Sequence, residues 1–421
     1  MKAYMIAAIA TPALVFAQQT AVAYGQCGGL GWTGPLSCVP TASCASVNSW
    51  YYQCLPTGTE IISTSCTCYT TTVISTYMWA VTTKTTDTAT TTTTTTATTT
   101  IPPVTSLALH PLIKAKGKLY VGFGVDQTIF SDGASLNILG TEGGQLTPLN
   151  SMNWDTIEPS FNSWNFAITD QLMSWALANG RLVRGNGLVW HATIPGWVRS
   201  TLIKGVLIQY IQNHVSTIVS RYRGHVYAWD IGKNVFGDSG GPRTDSHFYQ
   251  VFGNYEYLDY AFKAARQADP NAKLCLSDYG IDYPNAKMNT FIQTVRDLMA
   301  RGVPINCVAT QSHLTIGATT TGGYYAALYN LAVGTGLEIH ISELDIASAL
   351  PVTALTAVQL AQQKADFTTV AEACMTIPLC AGITLWGISD RYTWLTGQHP
   401  LLWDENYVKK PAYAGLVNGI L

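Results

Sequence analysis

Four cysteines crowd between Cys27 and Cys54 of this 421-residue chain, interleaved with glycines and aromatic residues. Cysteines at that density staple a segment too short to fold on its own core, and the bonds persist in an oxidising compartment. Four cysteines allow three pairings, and nothing in the spacing selects one. Elsewhere 12 Trp and 22 Tyr stand in a chain whose charged residues amount to only 11%, a balance that suits flat uncharged ligands stacked on rings and equally suits core packing. A third chemical element is Glu343, two residues beyond the end of the strand-like run from Glu338 to Ile341. A carboxylate at a strand end is placed to attack a substrate or to move a proton.

Charge narrows the partners. The 23 Lys+Arg against 25 Asp+Glu give a formal charge of -2, with no basic stripe or Arg-rich run. An electrostatic grip on phosphates has no source, so nucleic acid is excluded and a polymeric partner is expected to be neutral. At the start, Met1 and Lys2 precede an apolar stretch from Ala3 to Phe16, then small-residue sites at Val15-Phe16-Ala17 and Ala21-Val22-Ala23. This is the pattern of a secretory signal peptide, assigned to residues 1–23, and it predicts a secreted, extracellular protein. The run is shorter than the ~20 residues that span a bilayer, so no membrane anchorage is expected.

The elements that must position these residues fall into two units. Residues 24–56 form the cysteine-rich module. Residues 57–104 are dominated by threonine, have too few large apolar groups to offset ordering entropy, and read as an extended, O-glycosylated linker. Cys66 and Cys68 lie inside it, and a local bridge, a mixed disulfide and two free thiols all remain open. From residue 105 to 421, short apolar runs alternate with helical patterns: Leu119 to Phe123, Leu182 to Val189, Ala228 to Ile231, Leu274 to Leu276, Cys307 to Gln311, Glu338 to Ile341 and Ile383 to Trp386. Alternation sustained over that length predicts an α/β fold, a (β/α)8 TIM barrel with its chemistry at the C-terminal ends of the strands. Cys275 and Cys307 fall in the cores of neighbouring strands, where buried thiols are as much in order as a bridge. No Gly-rich phosphate loop follows the first strand; no cofactor and no metal are expected.

The segment YGQCGGLGWTGPLSCVPTASCASVNSWYYQC closely resembles the family 1 carbohydrate-binding module of secreted fungal enzymes, with its QCGG, GPxxC and NxxYxQC elements in register. The resemblance implies pairings Cys27–Cys44 and Cys38–Cys54, with Tyr24, Trp50 and Tyr51 on one flat face and Asn48 and Gln53 as its polar contacts. Trp32 is expected to pack inside. Three coplanar rings can stack on successive sugars of a crystalline chain, so the implied partner is a cellulose surface.

ISELDI at Ile341 to Ile346 and LVWHATIPGWV at Leu188 to Val198 resemble glycoside hydrolase family 10, the secreted endo-1,4-β-xylanases. The likeness continues through NSMNWDTIEP, DPNAKLCLSDY, GVPINCVATQSHL and ITLWGISDRYTW. It implies a TIM barrel and a retaining mechanism on β-1,4-xylan, with Glu343 at the nucleophile position. Retention needs a second carboxyl group about 5 to 5.5 Å away to protonate the leaving oxygen. There the chain departs from the family: where members carry WDxxNE, it reads WDIGKNVF, so Lys233 replaces the Asn and Asn234 replaces the acid/base Glu. A one-residue slip puts Val235 at the acid position and restores nothing.

Further departures thin the polar grip. Leu149 and Asn153 stand for the Glu and Lys of ENSMKW, Asn186 and Thr193 alter the RGHTLVWHSQ element, and Ser277 and Gly280 replace the two Asn residues of NDYN. Retained are Asn150, Trp190, His191, Gln311, His313, Trp386 and Trp394. Lys233 is expected either to pair with Glu343 and lock it or to swing out to solvent, and Asp238 and Asp282 are the nearest substitute acids in sequence. Cys374 and Cys380 match a local disulfide common in fungal members. The expectation is a monomeric, cellulose-anchored barrel directed at xylan or a related neutral β-glycan and hydrolysing it weakly or not at all. The rivals are an active endo-β-1,4-glycanase with a substitute donor and a non-catalytic decoy.

Overall fold

Parallel pairing of each strand with its neighbours, and of the last strand with the first, defines the larger unit. The computed structural model describes residues 20–21, 26–28, 35–48, 51–56, 108–320 and 322–421. Its eight barrel strands are β1 (Tyr120–Val125), β2 (Gln145–Pro148), β3 (Leu182–Gly185), β4 (Ala228–Lys233), β5 (Lys273–Asp278), β6 (Cys307–Thr310), β7 (Glu338–Ala347) and β8 (Cys380–Leu385). Gly382 of β8 pairs with Tyr120 of β1, which closes the ring. The expected TIM barrel is therefore the observed one.

Outward-facing residues such as Val121, Phe123, Leu274 and Leu276 join one continuous core beneath the helices. Those helices form because their apolar positions recur on one face. In α1 (Lys204–Arg221) these are Leu207, Ile211, Val215 and Ile218. α2 (Ala286–Ala300) starts where the Asn285 side chain accepts from the Met288 amide, α3 (Gly323–Thr335) follows β6, and α4 (Ala357–Thr376) opens on a capping box between Thr356 and Gln359. Among the described residues, no helix is long and apolar enough to cross a membrane.

Inward-facing residues make a polar floor. Arg184 Nε lies 2.9 Å from Asp230 Oδ2, both fully buried, and the Tyr120 hydroxyl lies 2.8 Å from His340 Nδ1. The Thr384 hydroxyl donates to Gln145 Oε1, whose amide nitrogen donates to Thr147. Gly122 is required here, since a Cβ would meet Gln145 Oε1 at 1.8 Å. Cys275 and Cys307 are direct partners on β5 and β6, with Cα atoms 4.4 Å apart, and they form a disulfide; the choice between thiols and bridge is decided by that register. Cys374 and Cys380 are bonded as expected.

The small unit is a three-stranded antiparallel sheet in which Tyr51–Pro56 lies between Gln26–Gly28 and Ala42–Asn48. Cys27 bonds to Cys44 and Cys38 to Cys54, the pairing that the resemblance implied. Thr20 and Ala21, within the expected leader, pair in parallel with Ser37 and Cys38. Tyr24, Trp32 and Trp50, the side chains of Asn48, Tyr51 and Gln53, Cys66, Cys68 and the linker lie outside the described residues.

Candidate active site

A cavity of about 930 Å³ opens where the barrel strands end, and its wall includes Asn150, Trp190, Lys233, Asn234, Gln311, His313, Glu343, Trp386 and Trp394. Three other expected site residues do not line it. Asn153 is buried, 5% exposed, as the residue preceding the short helix Trp154–Ile157. Asn186 is buried too: its Nδ2 donates to the Leu149 carbonyl at 3.1 Å and its Oδ1 accepts from Lys233. His191 stands aside from the wall, and burial together with Arg243 lowers its pKa to about 4.

Glu343 projects from the middle of β7 and is 2% exposed. Lys233, the last residue of β4, reaches across and places Nζ 2.7 Å from Glu343 Oε1. The same ammonium donates to Asn186 Oδ1 at 3.1 Å and lies 4.6 Å from the Trp190 ring centre and 5.0 Å from that of Trp386. Of the two expected placements of Lys233, the structure shows the paired one. Glu343's other oxygen, Oε2, is 3.3 Å from His313 Nε2, and His313 Nδ1 is 3.0 Å from Asp345 Oδ2. Trp394 Nε1 donates to the same Asp345 oxygen at 2.8 Å.

These contacts set the charges. Burial alone would raise the pKa of Glu343, but the Lys233 charge and His313 hold it below its ordinary value, so the carboxylate is ionised. Burial would lower His313, yet Asp345 and Glu343 carry it up to about 10, so the ring is an imidazolium. Both ion-pair partners of Glu343 are thus cations, and neither is a second carboxyl group.

Asn234 follows Lys233 with φ of 54°, in the left-handed region that Asn tolerates better than most residues. Its Oδ1 accepts from Gln311 Nε2 at 2.6 Å. Arg243 fixes the turn by donating from Nε to the Asn234 carbonyl and from Nη2 to the Phe236 carbonyl, each at 2.9 Å, and it reaches the Tyr279 hydroxyl. Of the substitute acids, the Asp238 side chain is 85% exposed and off the wall, bonded to Tyr279. Asp282 does line the cavity; burial raises its pKa, and its Oδ1 accepts from the Thr310 and Ser312 hydroxyls.

The wall also contains Tyr279, Tyr283 and Tyr392, none of which is among the expected site residues, although Tyr279 and Tyr392 lie within the quoted motifs. Tyr279 directly follows β5, so an aromatic residue just past a strand end was the available signal.

The model of "Glycosyl hydrolase family 10" matches residues 108–419. The chain belongs to that family. A second model, "Fungal cellulose binding domain", matches residues 23–51, nearly the span assigned to the small module. Over 404 residues the chain is 41% identical to endo-1,4-β-xylanase C of Phanerodontia chrysosporium, covering 94% of this chain and 93% of that one. Endo-1,4-β-xylanase A of the same organism is 40% identical over 414 residues, 96% of each chain. Among solved structures, native xylanase 10B from Thermotoga maritima superposes with a TM-score of 0.70 at 30% identity, covering 75% of this chain and 98% of that chain. The family 10 barrel and the cellulose-binding module are thereby placed on one polypeptide.

Proposed function

We propose that this family 10 protein is secreted, is held on cellulose by its small module, and binds xylan-type polysaccharide in the barrel cavity while hydrolysing it weakly or not at all. One observation carries the reading: Glu343 faces the Lys233 ammonium at 2.7 Å, and the position after Lys233 carries the amide of Asn234. In a retaining reaction Glu343 would attack the anomeric carbon while a carboxylic acid protonates the departing oxygen. An amide has no such proton to give, and loss of a positioned acid costs ~10²- to 10⁴-fold. Lys233 adds to the deficit by occupying an oxygen that must be free to attack. Trp190, Trp386 and Trp394 remain in the wall, so stacking on uncharged sugars is preserved.

The test compares xylan with an aryl β-xylobioside, whose leaving group needs little proton assistance. Turnover of the aryl substrate alone supports the reading, and so does retention on xylan without turnover of either. Equal turnover of both defeats it. A second reading, an active glycanase with a relocated acid, draws on Asp282, a buried carboxyl group in the cavity wall with a raised pKa. Loss of xylan hydrolysis in Asp282→Asn with retained folding would favour it. The module's cellulose face, assigned to Tyr24, Trp50 and Tyr51 with Asn48 and Gln53, is tested by adsorption of Trp50→Ala to cellulose.

A further inference from the structure

Leu149 directly follows β2 and stands, half-buried, in the cavity wall. Two hydrogen bonds fix its backbone there: the amide donates to the Val125 carbonyl at 2.9 Å, and the carbonyl accepts from Asn186 Nδ2 at 3.1 Å. Its side chain and Trp386 close over the same residue of β1, Gly124. A Cβ on that glycine would lie 2.6 Å from Leu149 Cδ2 and 3.0 Å from the Trp386 ring, so no larger residue fits beneath them. Leucine methyl groups and an indole ring thus share one corner of the wall.

The polar side chains connected to this corner are already engaged with the protein. Asn150 donates to Asp126 Oδ2 from its backbone amide at 3.0 Å and from Nδ2 at 2.8 Å. Asn186 spends Nδ2 on the Leu149 carbonyl and Oδ1 on Lys233, whose ammonium is held in turn by Glu343. A sugar hydroxyl brought against Leu149 therefore gives up water and meets methyl groups, and a polar group desolvated without a partner costs free energy. An acyl ester on the same oxygen removes the donor and adds an apolar group that gains from contact with leucine and indole. The corner penalises the free hydroxyl and rewards the capped one.

We propose that Leu149 is a specificity-determining residue, and that it makes the β2 side of the cavity prefer an O-acylated β-glycan, the acetyl ester being the simplest, to the same glycan with free hydroxyls. The proposal rests on the binding role proposed above and names the ligand class of that site. It is tested on the full-length chain by calorimetric titration with O-acetylated xylo-oligosaccharides of one length and with the same sample after alkaline deacetylation. The parent is expected to bind the acetylated sample roughly three- to tenfold more tightly, the scale of one hydrogen-bonding group left unpaired. Leu149→Gln, which supplies an amide of similar length, should abolish or invert that ratio, and Leu149→Met, which stays apolar, should keep it. Equal binding of the two samples by the parent overturns the proposal and leaves the cavity reading intact. A ratio unchanged in Leu149→Gln also overturns it, because acetyl groups would then be adhering elsewhere on the chain. Failure of the parent to bind either sample overturns both readings. Rapid release of reducing ends defeats only the weak-hydrolysis reading, and the preference is then decided by the ratio of kcat/KM for the two samples.

Discussion

The middle of β7 and the end of β4 face one cavity and present different groups to it. On the β7 side Glu343, His313, Asp345 and Trp394 form an unbroken relay of contacts in which each group answers the charge or hydrogen-bonding need of the next. On the β4 side stand an ammonium and an amide, Lys233 and Asn234, and the ammonium is spent on Glu343 and Asn186. Stacking is spread over several loops and survives local change, whereas proton delivery resides in a single titratable atom. A barrel that lost turnover at one rim could therefore keep its grip on the polymer, as the proposed function requires.

The most direct way to break the comparison is to rebuild the β4 side. Lys233→Asn with Asn234→Glu is expected to raise xylan hydrolysis ~10²- to 10⁴-fold, measured as release of reducing sugar. Asn234→Glu alone should recover much less, because Lys233 would still hold Glu343 Oε1. Full recovery by the single change would refute the lock, and no recovery by the double change would show that the deficit lies in Leu149 or Asn186.

Removing only the cation sharpens the point. Lys233→Met leaves a buried carboxylate without one of its two ion-pair partners, and breaking a buried pair in that way destabilises by ~3 to 5 kcal/mol. Denaturant unfolding should show the loss, and Lys233→Met/Glu343→Gln should regain most of it, since no charge is then stranded. A single variant as stable as the parent would mean that the pair contributes nothing.

The pH dependence reports on the β7 side alone. His313 is raised to about 10 in the folded chain, against ~6.5 in an unfolded one, so its contribution is complete below ~6.5 and is lost as pH rises through about 10. Glu343 is lowered, so its contribution is present above ~4.3 and is lost as pH falls through the folded value. The melting temperature should decline on both flanks of a window near pH 5 to 6, and His313→Asn should flatten the alkaline flank. An unchanged alkaline flank would place the charge elsewhere.

Most of the barrel is legible as apolar runs because its strands are covered on the outside by helices. Leu274 to Leu276 lies within β5 and Ala228 to Ile231 within β4. β2 escapes that pattern: Gln145 and Thr147 satisfy each other and Thr384 inside the barrel, so a buried strand looks polar in sequence. The run from Leu182 to Val189 is split into β3 and the short strand Val189–Trp190, with Gly187 between them at φ of 56°. In the cavity, motif spacing locates Glu343 and Asn234, both of which line the wall. It cannot reveal that Asn186 is consumed by Lys233 and Leu149, since that follows from side chains meeting across three loops. The bridge between Cys275 and Cys307 likewise needs the strand register, which apolar runs do not fix.

The smallest expected effect probes the intact side. Trp394→Phe keeps a ring beside His313 but removes the Nε1 donor to Asp345, a single hydrogen bond to a charged group. Its loss should cost ~1.5 to 3 kcal/mol or less, because the Trp394 side chain is 60% exposed and water can replace the donor. Asp345 would still hold His313, so Glu343 should stay ionised and xylan retention should fall only slightly. A collapse of xylan binding in this variant, with folding preserved, would show that the indole itself grips the sugar. The β7 side would then be the binding surface proper, and the contrast with β4 would be one of division of labour between the two ends.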